Sequence, residues 1–214
     1  MLSHLGSQAE IFQLFLDAGL DDRQTPGNEA FPAVWDAWNA RQPEQQAHHC
    51  LEANDTFIAR LVALPDDILD KPITLFGMDM VVGDMARLRL SEHALHSWDI
   101  AVAFDPTAEV APDAVALLID SVAAVVARAG NPQGRAFDLH VRTTAPERDF
   151  VLSMHDRAEL RPFTGEPCTG SLDLSAASLL RLVYGRLDSA HTPPLALVGD
   201  EVALDDLRPA FRGF

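Results

Sequence analysis

The stretch that most constrains this chain is residues 87–99, RLRLSEHALHSWD. Leu88, Glu92, His96 and Asp99 recur at three- and four-residue steps, so they lie on one stripe of a predicted helix. Side chains four residues apart on a helix are separated by about 5–6 Å at Cβ, which lets the Glu92 carboxylate and the His96 imidazole bind one metal ion. An ordinary hydrogen-bonded Glu–His pair has the same spacing, so spacing alone leaves both interpretations open.

A catalytic zinc ion takes three protein ligands and keeps a position for water or substrate. The third ligand is expected from another helix, and the candidate residues are His4, His48, His49 and His93. His93 lies about 100° around the helix from Glu92 and would point elsewhere. His48 and His49 lie at the polar start of their helix, where solvent exposure is expected. His4 lies one turn before apolar positions and is therefore the candidate that can face inward.

Asp99 follows His96 by three residues on the same stripe. A histidine that binds a metal usually donates its other ring N–H to a carboxylate or carbonyl oxygen. Asp99 is therefore predicted to accept that hydrogen bond, and an ordinary buried ion pair is the alternative interpretation.

The composition excludes several classes of function. The chain has 214 residues, enough for one large or two small domains with a genuine core. Its 16 basic and 32 acidic residues give a net charge of −16, which disfavours nucleic acid and anionic membranes as partners. Two distant cysteines and no recognisable signal peptide favour a reduced, cytoplasmic protein. The expected partner is a small molecule, and the oligomeric state, monomer or homodimer, is left open.

The pattern of elements indicates an α+β chain in two parts. Helices are predicted over residues 2–20, 31–39 and from Pro43 onward, ahead of the central helix. After Asp105-Pro106 come a helix over 114–129 and alternating apolar runs near 137–141, 150–154 and 158–163, which predict an antiparallel sheet. We therefore predict a helical domain over residues 1–105 and a small α/β domain over residues 106–214.

The segments SHLGSQAE (3–10), VWDAWNARQPEQQ (34–46) and RLSEHALHSWDIAVAFD (89–105) resemble the mycothiol-dependent maleylpyruvate isomerase family. The N-terminal half of that family is a DinB-like metal-binding four-helix bundle. TGSLDLSAASLLRLVYGRL (169–187) resembles the family's C-terminal domain, which is similar to sterol carrier proteins. Relative to this pattern the chain begins inside the helix that bears His4, so the expected bundle is one helix short.

The resemblance implies a divalent ion, most often zinc, bound by His4, Glu92 and His96. It implies mycothiol or a similar low-molecular-weight thiol as cofactor, and a thiolate that adds to a small electrophile for cis–trans isomerisation or S-transfer. It also implies a catalytic arginine in the C-terminal domain, for which Arg186 is the candidate because a guanidinium can bind a carboxylate through two hydrogen bonds. Interaction of Arg186 with the last carbonyls of its own helix is the alternative.

Two other functions stay open at this stage. A bundle without its first helix is compatible with a non-catalytic scaffold that binds a metal or a small molecule. A metal-dependent hydrolase would use the same three ligands with water in the fourth position. Histidine and carboxylate ligands suit nickel as well as zinc, so the sequence does not choose the metal.

Overall fold

The computed structural model describes residues 1–199 and 202–213. It divides the chain into two compact units, Met1–His96 and Ser97–Phe214. The division lies within the central helix and therefore earlier than the predicted boundary at 105/106. Residues 200, 201 and 214 of the predicted second domain lie outside the described residues.

The first unit is built on helices α1 (Leu2–Leu20), α2 (Phe31–Asn39), α3 (Pro43–Val62) and α4 (Val82–Val102), the last of which continues into the second unit. Phe12 and Leu16 of α1 are completely buried, in a core completed by residues of α3 and of the segment before α4. Pro43 occupies the first position of α3, where its missing N–H has no helical partner to lose. The predicted ranges of α1 and α2 are confirmed, and α4 extends beyond the predicted 87–99 at both ends.

A β-hairpin precedes α4. Strand β1 (Pro72–Leu75) pairs antiparallel with β2 (Met78–Val81), with Leu75 opposite Met78. The two turn residues, Phe76 and Gly77, have φ of 51° and 77°, the conformation of the tight turns that join twisted strands. The sequence did not reveal this element, because the apolar run is short and phenylalanine is an uncommon residue at positive φ.

The second unit contains a five-stranded sheet in the order β5-β4-β3-β6-β7. Its strands are β3 (Phe137–Thr144), β4 (Arg148–Met154), β5 (Ala158–Pro162), β6 (Gly170–Ser175) and β7 (Ala196–Val198). Leu139 and Val141 of β3 alternate with more exposed residues, so one face of this strand is buried in the core. The predicted α+β order, helices followed by a sheet with its own helices, is confirmed.

One pairing within the sheet differs from the prediction. β3 pairs antiparallel with β4 but parallel with β6, with Val141 opposite both Phe150 and Leu172, so the sheet is mixed. Alternation of apolar residues shows that a strand has a buried face, but it is the same for parallel and antiparallel neighbours. The direction of β6 was therefore not accessible from the pattern.

Helices α5 (Pro112–Leu118), α6 (Val122–Ala129), α7 (Ala176–Val183) and α8 (Leu204–Ala210) complete the second unit. The predicted single helix over 114–129 is interrupted by a 3₁₀ turn at Ile119–Ser121. Helix α7 ends at Val183, and Gly185 follows with a φ of 72°, the left-handed conformation that ends many helices. Within the described residues, no helix combines the length and the apolar character needed to cross a membrane.

Candidate metal centre

Three side chains from the two ends of the first unit's sequence converge at one point. His4 Nε2 lies 3.0 Å from Glu92 Oε2, and His96 Nε2 lies 3.4 Å from the same oxygen. The His4 and His96 rings meet edge to face, with centroids 5.1 Å apart. One ligand atom from each of the three residues lies within 4.8 Å of the other two. Helix α1 supplies the first residue and one stripe of α4 supplies the others, as four-residue spacing requires.

This arrangement fits a zinc ion. In a tetrahedral zinc site the bonds to nitrogen and oxygen are about 2.0–2.2 Å long. This geometry places neighbouring ligand atoms about 3.3–3.5 Å apart. The separations of 3.0 and 3.4 Å on Glu92 Oε2 are close to that value. Two imidazoles and one carboxylate are also a donor set of catalytic zinc, which keeps a position for another molecule.

The electrostatics of the cluster favour an ionised carboxylate. Burial acts to raise the pKa of Glu92, but hydrogen bonds from His4 and His96 and their charges outweigh it and hold the pKa well below its usual range. The Glu92 and His96 side chains are each 20% exposed, whereas His4 is 50% exposed. The cluster is therefore open to solvent on the side of α1.

The other histidine candidates lie elsewhere. His48 is 71% exposed and pairs with Glu52 of its own helix, at 3.3 Å. His93 does not belong to the group of converging ligand atoms, and its Nε2 lies 2.7 Å from Arg89 Nη2. Burial, followed by the charge of Arg89, lowers the pKa of His93 to about 4. His4 is thus the candidate that the structure brings to Glu92 and His96, and its role as a ligand stays a prediction.

Arg89 is a residue of this site that the sequence analysis missed. It is only 3% exposed. Its Nη1 donates to Gln8 Oε1 at 2.5 Å, and its Nη2 donates to the Leu5 carbonyl oxygen at 2.9 Å. Burial lowers the pKa of Arg89 to about 10, so the guanidinium stays charged at neutral pH. Arg89 therefore ties α4, three residues before Glu92, to the turn of α1 that carries His4.

Asp99 and Arg186 meet within the second unit. Arg186 Nε and Nη2 donate to Asp99 Oδ1 and Oδ2, both at 2.8 Å, and Arg186 Nη1 donates to the Tyr184 carbonyl oxygen at 3.0 Å. The two side chains are 20% and 19% exposed. Asp99 was predicted to orient His96 and Arg186 to act on substrate, and both roles stay predictions. The structure adds that each holds the other in place.

Comparison with known proteins agrees with these features. Residues 1–101 match the family described as the mycothiol maleylpyruvate isomerase N-terminal domain. The N-terminal part of this chain is therefore similar to that family. This segment carries His4, Glu92 and His96, so all three converging residues lie in the matched region.

The fold of the whole chain is also shared with solved structures. A crystal structure of the mycothiol-dependent maleylpyruvate isomerase matches with a TM-score of 0.60 at 13% identity, over 94% of this chain and 78% of that chain. A structure of the same enzyme with one histidine replaced by alanine matches with a TM-score of 0.56 at 13% identity, over 86% of this chain and 72% of that chain. The likeness at this identity shows the fold, in which a helical unit is followed by an α/β unit. No curated protein matches the chain in sequence.

Proposed function

We propose that this chain is a metal-dependent enzyme that uses mycothiol or a related thiol to isomerise a small electrophile of the maleylpyruvate type. The observation that carries the proposal is the convergence of His4 and His96 on one oxygen of Glu92. The family of residues 1–101 and the shared fold support the choice of thiol and reaction. The same residues and thiol could instead transfer the thiol sulfur to another electrophile, so S-transfer is the alternative reaction.

A zinc ion held by these residues would supply a Lewis acid that lowers the pKa of a bound thiol enough to deprotonate it at neutral pH. Glu92 contributes a full negative charge, since its pKa is depressed. The partly exposed His4 leaves the site accessible to a molecule from solvent. These properties keep the Glu92 carboxylate ionised and leave the cluster open to a thiol from solvent.

Arg186 is the proposed group for binding the substrate carboxylate. Asp99 holds Arg186 Nε and Nη2 in a fixed plane, so a substrate carboxylate would meet a guanidinium that is already oriented, with little further loss of side-chain entropy. The contact between Asp99 and Arg186 supports a role of Asp99 in positioning Arg186, and the hydrogen bond proposed from His96 to Asp99 is a separate contact.

The proposal is tested first by metal content. Purified wild-type protein is expected to hold about one zinc per chain by elemental analysis, and Glu92→Ala and His96→Ala are expected to lose it. His48→Ala is the matched control, because His48 is an exposed α3 histidine outside the cluster. Absence of zinc from the wild type after reconstitution, or retention of zinc in both variants, would contradict the metal centre.

Turnover is tested second, by following cis–trans isomerisation of maleylpyruvate with mycothiol, with glutathione or without thiol. Activity that requires mycothiol supports the proposal. Zinc without thiol-dependent turnover would favour the scaffold, and hydrolysis of ester or amide substrates without thiol would favour a metal-dependent hydrolase.

A further inference from the structure

We propose that the second unit contains a binding pocket for a small monocarboxylate with an apolar body, in which Arg181 receives the carboxylate. The pocket has a volume of about 350 Å³, within the range of small-molecule sites. It lies among the start of α7, the segment before α5, and the 3₁₀ turn Ser189–His191. None of its residues belongs to the proposed metal centre, so the inference does not depend on the proposed function.

Arg181 is a buried cation whose hydrogen bonds are incomplete. It is 7% exposed, and its Nη2 donates to the Arg186 carbonyl oxygen at 3.2 Å and to that of His191. Its Nε is buried without a hydrogen-bond partner. Among the described residues, no carboxylate forms a hydrogen bond with Arg181, although Asp188 and Glu109 act on it at longer range. Nε is fully buried and out of a ligand's reach, so a ligand would meet Arg181 at the part of the side chain that lines the pocket, where the buried positive charge favours an anion.

The start of α7 adds a second positive feature to the same pocket. Ser175 caps the helix, and its Oγ accepts a hydrogen bond from the Ser178 N–H at 3.1 Å. The other N–H groups of the first turn have no carbonyl partner inside the helix, and the helix dipole is positive at this end. Ser175, Ala177 and Ser178 all line the pocket together with Arg181. Two independent sources of positive potential therefore favour an anion.

Part of the remaining wall is apolar. Trp98 is 5% exposed, and its indole Nε1 donates to the Ala108 carbonyl oxygen at 2.8 Å. The Arg181 guanidinium lies 4.1 Å from the centre of the Trp98 ring. Val110 and Val115 extend the apolar surface. The pocket therefore has a positively charged side and an apolar side, which match a ligand with a carboxylate at one end and a small hydrocarbon body at the other.

The charges around the pocket favour one negative charge over two. Arg181 is the buried cation, while the exposed Glu109 also lines the pocket. A dianion such as phosphate would experience stronger repulsion from this carboxylate than a monocarboxylate would. Arginine also matches the planar geometry of a carboxylate.

The test is calorimetric titration of the full chain with benzoate, with its neutral analogue benzamide, and with inorganic phosphate. Benzoate is expected to bind at least about tenfold more tightly than either of the others, because hydrogen bonds to a charged group are stronger than neutral ones. Equal binding of benzamide would overturn the role of Arg181 as anion receptor. Equal binding of phosphate would overturn the carboxylate class, and no binding of benzoate would overturn the pocket.

Two variants in the pocket locate the binding site, and two variants outside it are controls. Arg181→Gln is expected to weaken benzoate binding about 10–100-fold, whereas Arg157→Gln, at an exposed arginine of the same unit, should leave it unchanged. Ala177→Leu fills the pocket while retaining Arg181 and the helix, so it tests the site if Arg181→Gln fails to fold. Full benzoate affinity in Ala177→Leu would refute the proposal. Glu92→Ala removes a proposed metal ligand and should leave benzoate binding intact, and loss of binding there would place benzoate at the metal centre instead.

Discussion

Replacement of Arg89 by methionine tests whether this residue holds α1 against α4. Methionine keeps most of the apolar volume of the side chain but removes the hydrogen bonds to Gln8, Leu5 and His93. The acceptors on α1 would then be left in a region where Arg89 itself is 3% exposed. We expect the first turns of α1 to lose their main polar attachment to α4.

The size of the effect follows from these contacts. Hydrogen bonds to a charged group contribute about 1.5–3 kcal/mol each, so three of them represent about 4.5–9 kcal/mol. Burying a guanidinium opposes this by several kcal/mol, and methionine no longer carries that penalty. The expected net loss in free energy of unfolding is about 2–4 kcal/mol.

The assay is urea unfolding of the protein in EDTA, so that metal binding does not contribute. Arg87→Met on the same helix is the matched control, because Arg87 is 54% exposed and pairs with Asp84 on the surface. An exposed pair of this kind contributes about 1 kcal/mol or less. Zinc competition titrations should also show about 10–100-fold weaker binding in Arg89→Met, as for other residues that support metal ligands.

Equal unfolding midpoints for Arg89→Met and Arg87→Met would refute the reasoning, since the buried and exposed arginines would then be equivalent. Lower stability with unchanged zinc affinity would show that Arg89 supports the helices without positioning the ligands. Arg89→Lys separates charge from geometry, because lysine retains the cation but lacks the planar fork that reaches two acceptors.

Three further substitutions probe other contacts. Gly6→Ala should destabilise the protein by about 1–3 kcal/mol in urea unfolding, because the new Cβ would lie 2.1 Å from the buried Trp38 ring; unchanged stability would mean that the ring can move. Asp99→Asn should cost about 1–3 kcal/mol by removing a partly buried bidentate ion pair, against about 1 kcal/mol or less for Asp120→Asn in an exposed one; equal losses would refute the distinction. Because the pKa of His93 is about 4 in the folded protein and its ordinary value is 6.5, the unfolded state binds the extra proton more readily and stability is lost as pH falls from 6.5 to 4. His93→Gln should therefore lose less stability than wild type between pH 7 and 4.5 in EDTA, and an equal loss would contradict this assignment.

The sequence predicted the elements whose burial follows one regular period. Helix α1 and the central helix were recognised from three- and four-residue spacing, and β3 from alternation. The hairpin before α4 was missed because its strands have four residues each and its turn begins with Phe76 rather than a typical turn residue. The parallel pairing of β6 with β3 was missed because strand direction depends on how the chain connects the two strands. The alternation of apolar residues carries no information about that connection.

Part of the candidate site was accessible in the same way. Glu92 and His96 lie on one face of a single helix, so their proximity follows from helix geometry alone. The position of His4 depends on the packing of α1 on α4, and its place before apolar positions and the resemblance to a known family both pointed to it among four candidate histidines. Arg89 also lies three residues before Glu92, but an arginine at such a spacing is usually solvated, and only its burial distinguishes it from Arg87.

The contacts of Arg89 and Glu92 link the candidate metal centre to the order of α1. Both side chains find partners on the first turns of that helix, Glu92 at His4 and Arg89 at Leu5 and Gln8. Buried polar groups on α4 would be costly without these partners, so the polar stripe of α4 requires α1 to be in place. A metal ion that binds only when His4 is in position would stabilise the docked helix by an amount that grows with the logarithm of its concentration relative to its Kd. Metal binding by this cluster would therefore be coupled to helix docking, and we expect substitutions that loosen α1 far from the ligands to weaken it as well.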